Sequence, residues 1–272
     1  MRVRLVATLA ALLGLAATDA FAAAPKDCQP QAIRDLERLA PQGYAVYQAM
    51  RDKKQFLAFL TCADVQLGLS TAVHESVHIL TEQRDAYPLI AGGYLPRQHL
   101  VSQFYPPREI ASKFKPDSYV QTYLRRGAAS SADNVIYLLD ELNAYSHDLA
   151  SASKLVGLKL RDGEVDHRAG LAALMAFLLE YVEVARERKA TTWEGMRRPE
   201  IKRLLETLWA QAESTLIASL PIRGFGGEAY LQRLCGERQG GALAELLDRP
   251  PIDPSACASH ARAASSTDML AK

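Results

Sequence analysis

Residues 71–80 read TAVHESVHIL, a stretch that contains two histidines and a glutamate. It lies within a longer run, from about Ala63 to Glu82, in which apolar residues recur at helical spacing. His74 and His78 are four positions apart, so on a helix both imidazoles lie on one face, one turn apart. Two imidazoles in that arrangement can reach one metal ion at about 2.0 to 2.1 Å. The stretch therefore predicts a buried helix that holds a metal ion.

Glu75 completes the motif H-E-x-x-H and gives the predicted site a chemistry. A carboxylate beside a metal ion can take a proton from a water molecule, which is the general-base role associated with this motif. The neighbouring positions are uncharged, as a buried helix requires: Ala72, Val73, Ser76, Val77, Ile79 and Leu80. We therefore expect one zinc ion per chain, with His74 and His78 as ligands and Glu75 as the general base.

The predicted zinc site needs a third protein ligand, and its position distinguishes the families that share the motif. Thr81 and Arg84 stand where the metzincin pattern has Gly and His, so that pattern is excluded. Residues 140–145 read DELNAY and place Glu141 on a later predicted helix. In these two short segments the chain resembles the gluzincins, zinc metallopeptidases that combine H-E-x-x-H with a downstream glutamate ligand.

The resemblance implies a role for each matching residue. Glu141 would be the third zinc ligand, and Ala144 the small residue that lets the two ligand helices approach. Several gluzincin families have an aspartate next, which supports a zinc-bound histidine. Tyr145 occupies that position here and carries no negative charge. Its hydroxyl can donate a hydrogen bond to an oxyanion in the transition state, or the residue can serve as a half-buried packing tyrosine.

The resemblance also implies a fold and a function. It predicts a zincin-like helical domain with metallopeptidase activity on a peptide or protein substrate, in which a zinc-activated water attacks an amide carbonyl. Two alternatives stay open. One is a non-catalytic zinc-binding or scaffold protein of the cell envelope, and the other is a zinc hydrolase that acts on a non-peptide envelope substrate.

Two further side chains compete for the position of third ligand. His147 would point about 120° away from the predicted glutamate ligand on the same helix. Glu180 interrupts an apolar helix and could be buried there. Three more histidines lie in loop-like or tail sequence and are not expected to bind metal: His99, His167 and His260.

The composition excludes several classes of protein. Of the 272 residues, 49% are hydrophobic, which is enough for a large core and excludes general disorder. Lys and Arg number 32 against 31 Asp and Glu, a net charge of +1, so no overall basic field would attract a nucleic acid. Aromatic residues make up 7% of the chain, which disfavours an all-β fold.

Residues 1–22 have the features of a secretory signal peptide. Arg2 and Arg4 precede an apolar run from Leu5 to Ala17, and the segment 20–22 forms an A-x-A cleavage signal. The apolar run is shorter than the roughly 18 to 20 residues of a membrane-spanning helix. We expect cleavage at the end of this segment and a secreted or periplasmic mature protein without a transmembrane span.

The four cysteines predict two disulfides, because their number is even and the expected compartment is oxidising. Pairing Cys28 with Cys62 and Cys235 with Cys257 closes the shortest loops. No two of them have the C-x-x-C spacing of a thiolate metal site. We therefore expect these two disulfides rather than a second metal site.

The remaining sequence predicts a mainly α fold with a small β element (α+β). Apolar spacing predicts further helices at Gln31–Leu39, Tyr44–Leu60, Val135–Leu155, Ala169–Lys189, Pro199–Leu220 and Glu228–Arg238, with a break at Pro41–Gly43. Gly92-Gly93 separates Tyr87–Ala91 from Tyr94–Leu95, which indicates a hairpin between the two ligand helices. We expect a single domain over residues 23–257 and a disordered tail over residues 258–272.

Overall fold

The computed structural model describes residues 28–158, 167–236 and 241–258, and its fold is mainly helical. The helices are α1 (Gln29–Leu39), α2 (Pro41–Ala49), α3 (Lys53–Phe59), α4 (Val65–Arg84), α5 (Ser118–Tyr123), α6 (Val135–Lys154), α7 (His167–Arg188), α8 (Ala190–Met196), α9 (Pro199–Ser219), α10 (Glu228–Leu234) and α11 (Ala242–Leu247). Two short strands, β1 (Ala86–Pro88) and β2 (Tyr94–Pro96), follow α4. The predicted fold class is confirmed. The predicted signal peptide and residues 259–272 of the predicted tail lie outside the described residues.

The ends of α4 are fixed by two aspartates. The side chain of Asp64 accepts a hydrogen bond from the backbone N–H of Leu67 at 3.1 Å, which caps the first turn. Asp85 adopts a left-handed conformation with φ of 50° and ends the helix. The H-E-x-x-H motif therefore lies in the middle of a long helix, as predicted.

The N-terminal helices differ from the prediction. Pro41 begins α2 instead of breaking the chain, because proline fits the first turn of a helix. The predicted helix Tyr44–Leu60 is wrong, since the chain forms α2 and α3 with a break between them. Asp52 starts the second of these helices by accepting a hydrogen bond from the N–H of Lys54 at 2.9 Å. The short helices α5, α8 and α11 were not predicted, because six or seven residues show little periodicity.

The hairpin of β1 and β2 lies between α4 and α6, as predicted. The strands are antiparallel, and Tyr87 faces Leu95 across the pair. Gly92 and Gly93 form the turn with φ of 95° and 83°, values that favour glycine. The buried hydroxyl of Tyr87 donates a hydrogen bond to the carbonyl of Ile136 at 3.1 Å, which fixes the hairpin on α6.

Helix α6 joins the two clusters of buried apolar residues. One cluster contains α7 and α9, and the other contains α1, α2 and α4. Helices α4 and α6 pack against each other, and Ala144 is fully buried in the cluster that contains Val73 and Val77. The buried side chain of Gln66 also donates to the carbonyl of Ala152 at 2.9 Å. The small residue at 144 thus lies where the two helices approach.

Both predicted disulfides are present. Cys28 bonds to Cys62, and Cys235 bonds to Cys257. Two disulfides fit an oxidising, extracytoplasmic compartment. No helix among the described residues is long and apolar enough to cross a membrane.

Removing the first disulfide is expected to destabilise the fold. The Cys28–Cys62 bond joins residues separated by 34 positions in sequence, so its loss adds conformational entropy to the unfolded chain. The double variant Cys28→Ser, Cys62→Ser should lower the free energy of unfolding by about 2 to 4 kcal/mol, measured by urea denaturation. An unchanged denaturation midpoint would contradict this expectation.

Candidate metal centre

Helices α4 and α6 bring the three predicted metal ligands together. The Nε2 atoms of His74 and His78 lie 3.2 Å apart. The Oε2 atom of Glu141 is 3.7 Å from the Nε2 of His74 and 3.5 Å from that of His78. These three atoms form a compact triangle, and the residues could hold a metal ion.

The dimensions of this triangle suit a tetrahedral ion. Two atoms bound at about 2.1 Å to a tetrahedral zinc ion lie about 3.4 Å apart. Among the residues that the structure describes, the buried Oε2 of Glu141 has no hydrogen-bond partner. A buried carboxylate oxygen without a partner is costly. The donor set therefore fits a bound cation.

Asp140 orients His78 from the side opposite the triangle. Its Oδ2 atom accepts a hydrogen bond from the Nδ1 of His78 at 2.8 Å, which directs the Nε2 of that ring at the triangle. Burial lowers the pKa of His78, but the carboxylates of Asp140 and Glu141 outweigh it and raise the pKa to about 10. A bound cation would therefore replace the proton that this raised pKa keeps on Nε2.

The Asp140→Asn variant should weaken metal binding without unfolding the protein. Asparagine keeps the shape of the side chain but removes the charge that orients His78. Zinc affinity is expected to fall about 10- to 100-fold, measured by competition with a chromophoric chelator. Asp85→Asn is a matched control, because Asp85 also pairs with a histidine, His99, at 2.7 Å, but on the surface. Equal affinities of the two variants would contradict this role.

A second carboxylate, Asp148, lies next to His74. Its Oδ2 atom is 4.0 Å from the Nδ1 of His74, and its Oδ1 accepts a hydrogen bond from the Nδ1 of His167 at 2.8 Å. Burial lowers the pKa of His74, which suits a neutral ligand. Asp148 follows Glu141 by two helical turns and shares its face of α6. A carboxylate near His74 is thus present, but not at position 145, and that spacing could have revealed it in the sequence.

Tyr145 packs against the metal centre. Its ring meets that of His74 edge to face, with centroids 4.6 Å apart. Its hydroxyl shares a hydrogen bond of 2.7 Å with the hydroxyl of Tyr123, a residue that the sequence did not indicate. A Cβ atom on Gly170 of α7 would lie 2.1 to 2.9 Å from three atoms of the Tyr145 ring. Glycine at this position therefore makes room for the tyrosine.

Glu75 follows His74 on α4 and is partly exposed. Within the described residues, no hydrogen bond or ion pair engages its carboxylate. The negative charge of Glu75 is a minor cause of the raised pKa of Tyr123, after burial, Glu141 and Tyr119. Its freedom from other partners suits a residue that accepts and releases a proton.

In the described part of the chain, the competing residues do not join the metal-binding group. His147 is buried and donates from Nε2 to the carbonyl of Pro88 at 3.0 Å. Burial lowers the pKa of His147 to about 4, so it is neutral. Glu180 is buried and forms an ion pair with Arg233 at 2.6 Å. Both residues have structural roles, and His260 lies outside the described residues.

The other two histidines have different surroundings. His99 lies at the surface, where its side chain is 65% exposed. His167 begins α7 and is buried against Asp148, so its interpretation as a loop histidine is wrong. The polar residues before His167 obscured the start of that helix in the sequence.

No protein-family model, curated protein or solved structure matches the chain. The gluzincin resemblance stays a prediction that rests on the two motif segments. The function is therefore inferred from the residues of this chain and their geometry.

Proposed function

We propose that the protein is a secreted or periplasmic zinc-dependent hydrolase of the gluzincin type, which cleaves an amide bond in a peptide or protein substrate. The observation that carries this proposal is the triangle of His74, His78 and Glu141, with Glu75 directly after His74 on the same helix. Two imidazoles and one carboxylate form a donor set that catalytic zinc sites use, with a fourth position left for water or substrate. The predicted signal peptide and the two disulfides support the proposed location.

Bound zinc would lower the pKa of a water molecule and polarise the substrate carbonyl. Glu75 then accepts the proton of the attacking water on its carboxylate and delivers it to the leaving nitrogen. Asp140 would keep a proton on the Nδ1 of His78, so that Nε2 is the ring atom that faces a bound ion.

The hydroxyls of Tyr123 and Tyr145 supply a hydrogen-bond donor to the proposed reaction. Both hydroxyls are protonated at neutral pH, and burial raises the pKa of each further above the ordinary value of tyrosine. The hydrogen bond between them uses one of the two protons. The other proton can be donated to the oxyanion that develops on the substrate carbonyl. The role predicted for Tyr145, donation of a hydrogen bond to the oxyanion, is thus proposed for Tyr123 and Tyr145 together.

Metal removal tests the proposal directly. The mature protein, loaded with zinc, should hydrolyse a fluorescently labelled unfolded polypeptide. Dialysis against a chelator should reduce the rate by about 100-fold or more, and zinc should restore it. Zinc binding without hydrolysis of any amide or ester would favour the non-catalytic alternative. Hydrolysis confined to non-peptide envelope substrates would favour the other alternative.

A further inference from the structure

Arg97 connects the β hairpin to the metal centre. This residue follows β2, and its backbone N–H donates to the carbonyl of Asp85 at 3.0 Å. Its side chain is 6% exposed, although it carries a positive charge. The guanidinium lies near the rings of Tyr87 and Tyr137, with distances of 5.8 and 5.9 Å from its central carbon to the ring centroids. The hairpin and these rings therefore fix its position.

Two carboxylates on different helices face the guanidinium of Arg97. Nη1 donates to the Oε2 of Glu82 at 2.9 Å, and Nη2 lies 3.7 Å from the Oδ2 of Asp140. Glu82 is on the surface, with a side chain 73% exposed, whereas the side chain of Asp140 is 9% exposed. Burying a carboxylate is costly unless it is paired. Arg97 provides that pairing on one side of Asp140.

The Oδ2 atom of Asp140 has two partners, one inside the metal centre and one outside it. One is Nη2 of Arg97, and the other is Nδ1 of His78 at 2.8 Å. The remaining Oδ1 is buried, and among the described residues it has no hydrogen-bond partner. The attraction of Arg97 is therefore a force that keeps Oδ2 directed at His78. Without Arg97, the carboxylate would have its bond to His78 as its remaining partner in this part of the chain.

We propose that Arg97 is a positioning residue of the metal centre, which acts through Asp140 on the orientation of His78. This inference rests on the metal site proposed above. The guanidinium of Arg97 is not one of the three ligand groups. Its effect on metal binding must therefore pass through Asp140, whose carboxylate contacts both Arg97 and His78. Arginine suits this role because its planar guanidinium can hold two carboxylates and contact aromatic rings together.

A double-mutant cycle on the full chain tests the proposal. Zinc affinity is measured by chelator competition for wild type, Arg97→Met, Asp140→Asn and the double variant. Arg97→Met should weaken zinc binding about 10-fold or more in the wild-type background. It should weaken binding less than about twofold in the Asp140→Asn background, because the residue through which it acts has lost its charge. Cobalt-loaded Arg97→Met should also show shifted visible absorption bands.

Two variants keep the test decisive. Arg84→Met is the matched control, because Arg84 contacts the same hairpin, 4.3 Å from the centroid of the Tyr94 ring, and should retain wild-type zinc affinity. Arg97→Lys retains the charge and should lose about threefold in affinity. It takes the place of Arg97→Met in the cycle if the methionine variant does not fold.

The outcomes separate the role of Arg97 from the metal site itself. Equal losses of zinc affinity in the two backgrounds, or no loss in either, would overturn the role of Arg97 and leave the metal centre intact. Wild-type protein that binds no zinc would overturn the metal centre, and the role of Arg97 with it.

Discussion

Glu75→Gln is expected to lower the rate of amide hydrolysis about 100- to 10,000-fold. Glutamine has nearly the same shape as glutamate, but at neutral pH it cannot accept a proton. The residue does not belong to the triangle of ligand atoms, so the zinc content should stay at about one ion per chain. The rate is measured with the zinc-loaded protein and a fluorescently labelled unfolded polypeptide.

The control for this prediction is Glu37→Gln, a change of the same kind at an exposed position of α1. It should leave the rate at the wild-type value. Retention of the wild-type rate in Glu75→Gln would exclude Glu75 as the general base. Loss of zinc from Glu75→Gln would instead indicate that the carboxylate helps to bind the ion.

His74→Ala and Glu141→Ala are expected to reduce the zinc content from about one ion per chain to near zero after gel filtration. Each change removes one corner of the triangle and leaves two donors. The metal is measured by mass spectrometry, and circular dichroism confirms that the helices are retained. His99→Ala, at the surface, should keep the full zinc content.

The same measurement decides between the candidates for third ligand. His147→Ala should retain zinc, because the structure directs that imidazole at the carbonyl of Pro88. The free energy of unfolding should fall instead, since a buried hydrogen bond is lost. Zinc retained in Glu141→Ala but lost in His147→Ala would contradict the ligand set and assign the third position to His147.

The parts of the site that the sequence predicted are those that depend on spacing along one helix. The four-residue interval between His74 and His78 was sufficient to place both imidazoles on one face. Glu141 required the resemblance to a family, because nothing in local spacing relates a residue on α6 to one on α4. Its proximity to the histidines depends on how the two helices pack.

The residues that the sequence missed act through tertiary contacts. Tyr123 reaches the centre from α5, a helix of six residues with little periodicity. Arg97 reaches it from a hairpin whose strands were predicted but whose docking surface was not. Asp148 could have been found from its spacing after Glu141, but its pairing with His167 depends on the packing of α6 against α7.

Sequence spacing also does not show where one helix ends and the next begins, and this explains the errors in the fold prediction. In the sequence, Asp52 could be an exposed residue within one long helix or the first residue of a new helix. Hydrophobic spacing does not distinguish these cases. In the structure its side chain caps α3, so the predicted long helix is divided. The hairpin was predicted correctly because Gly92-Gly93 is a turn signal that needs no tertiary information.

Gly170 shows a conflict between local stability and the shape of the metal centre. Glycine within a helix costs about 1 kcal/mol relative to alanine, so α7 would be more stable with alanine at this position. An alanine methyl group would collide with the ring of Tyr145, which in turn packs on His74. Position 170 is thus a site where the residue that best suits an isolated helix does not fit beside the tyrosine that packs on His74. A survey of random mutations for loss of metal binding should therefore identify this residue together with His74, His78 and Glu141, although it offers no ligand atom itself.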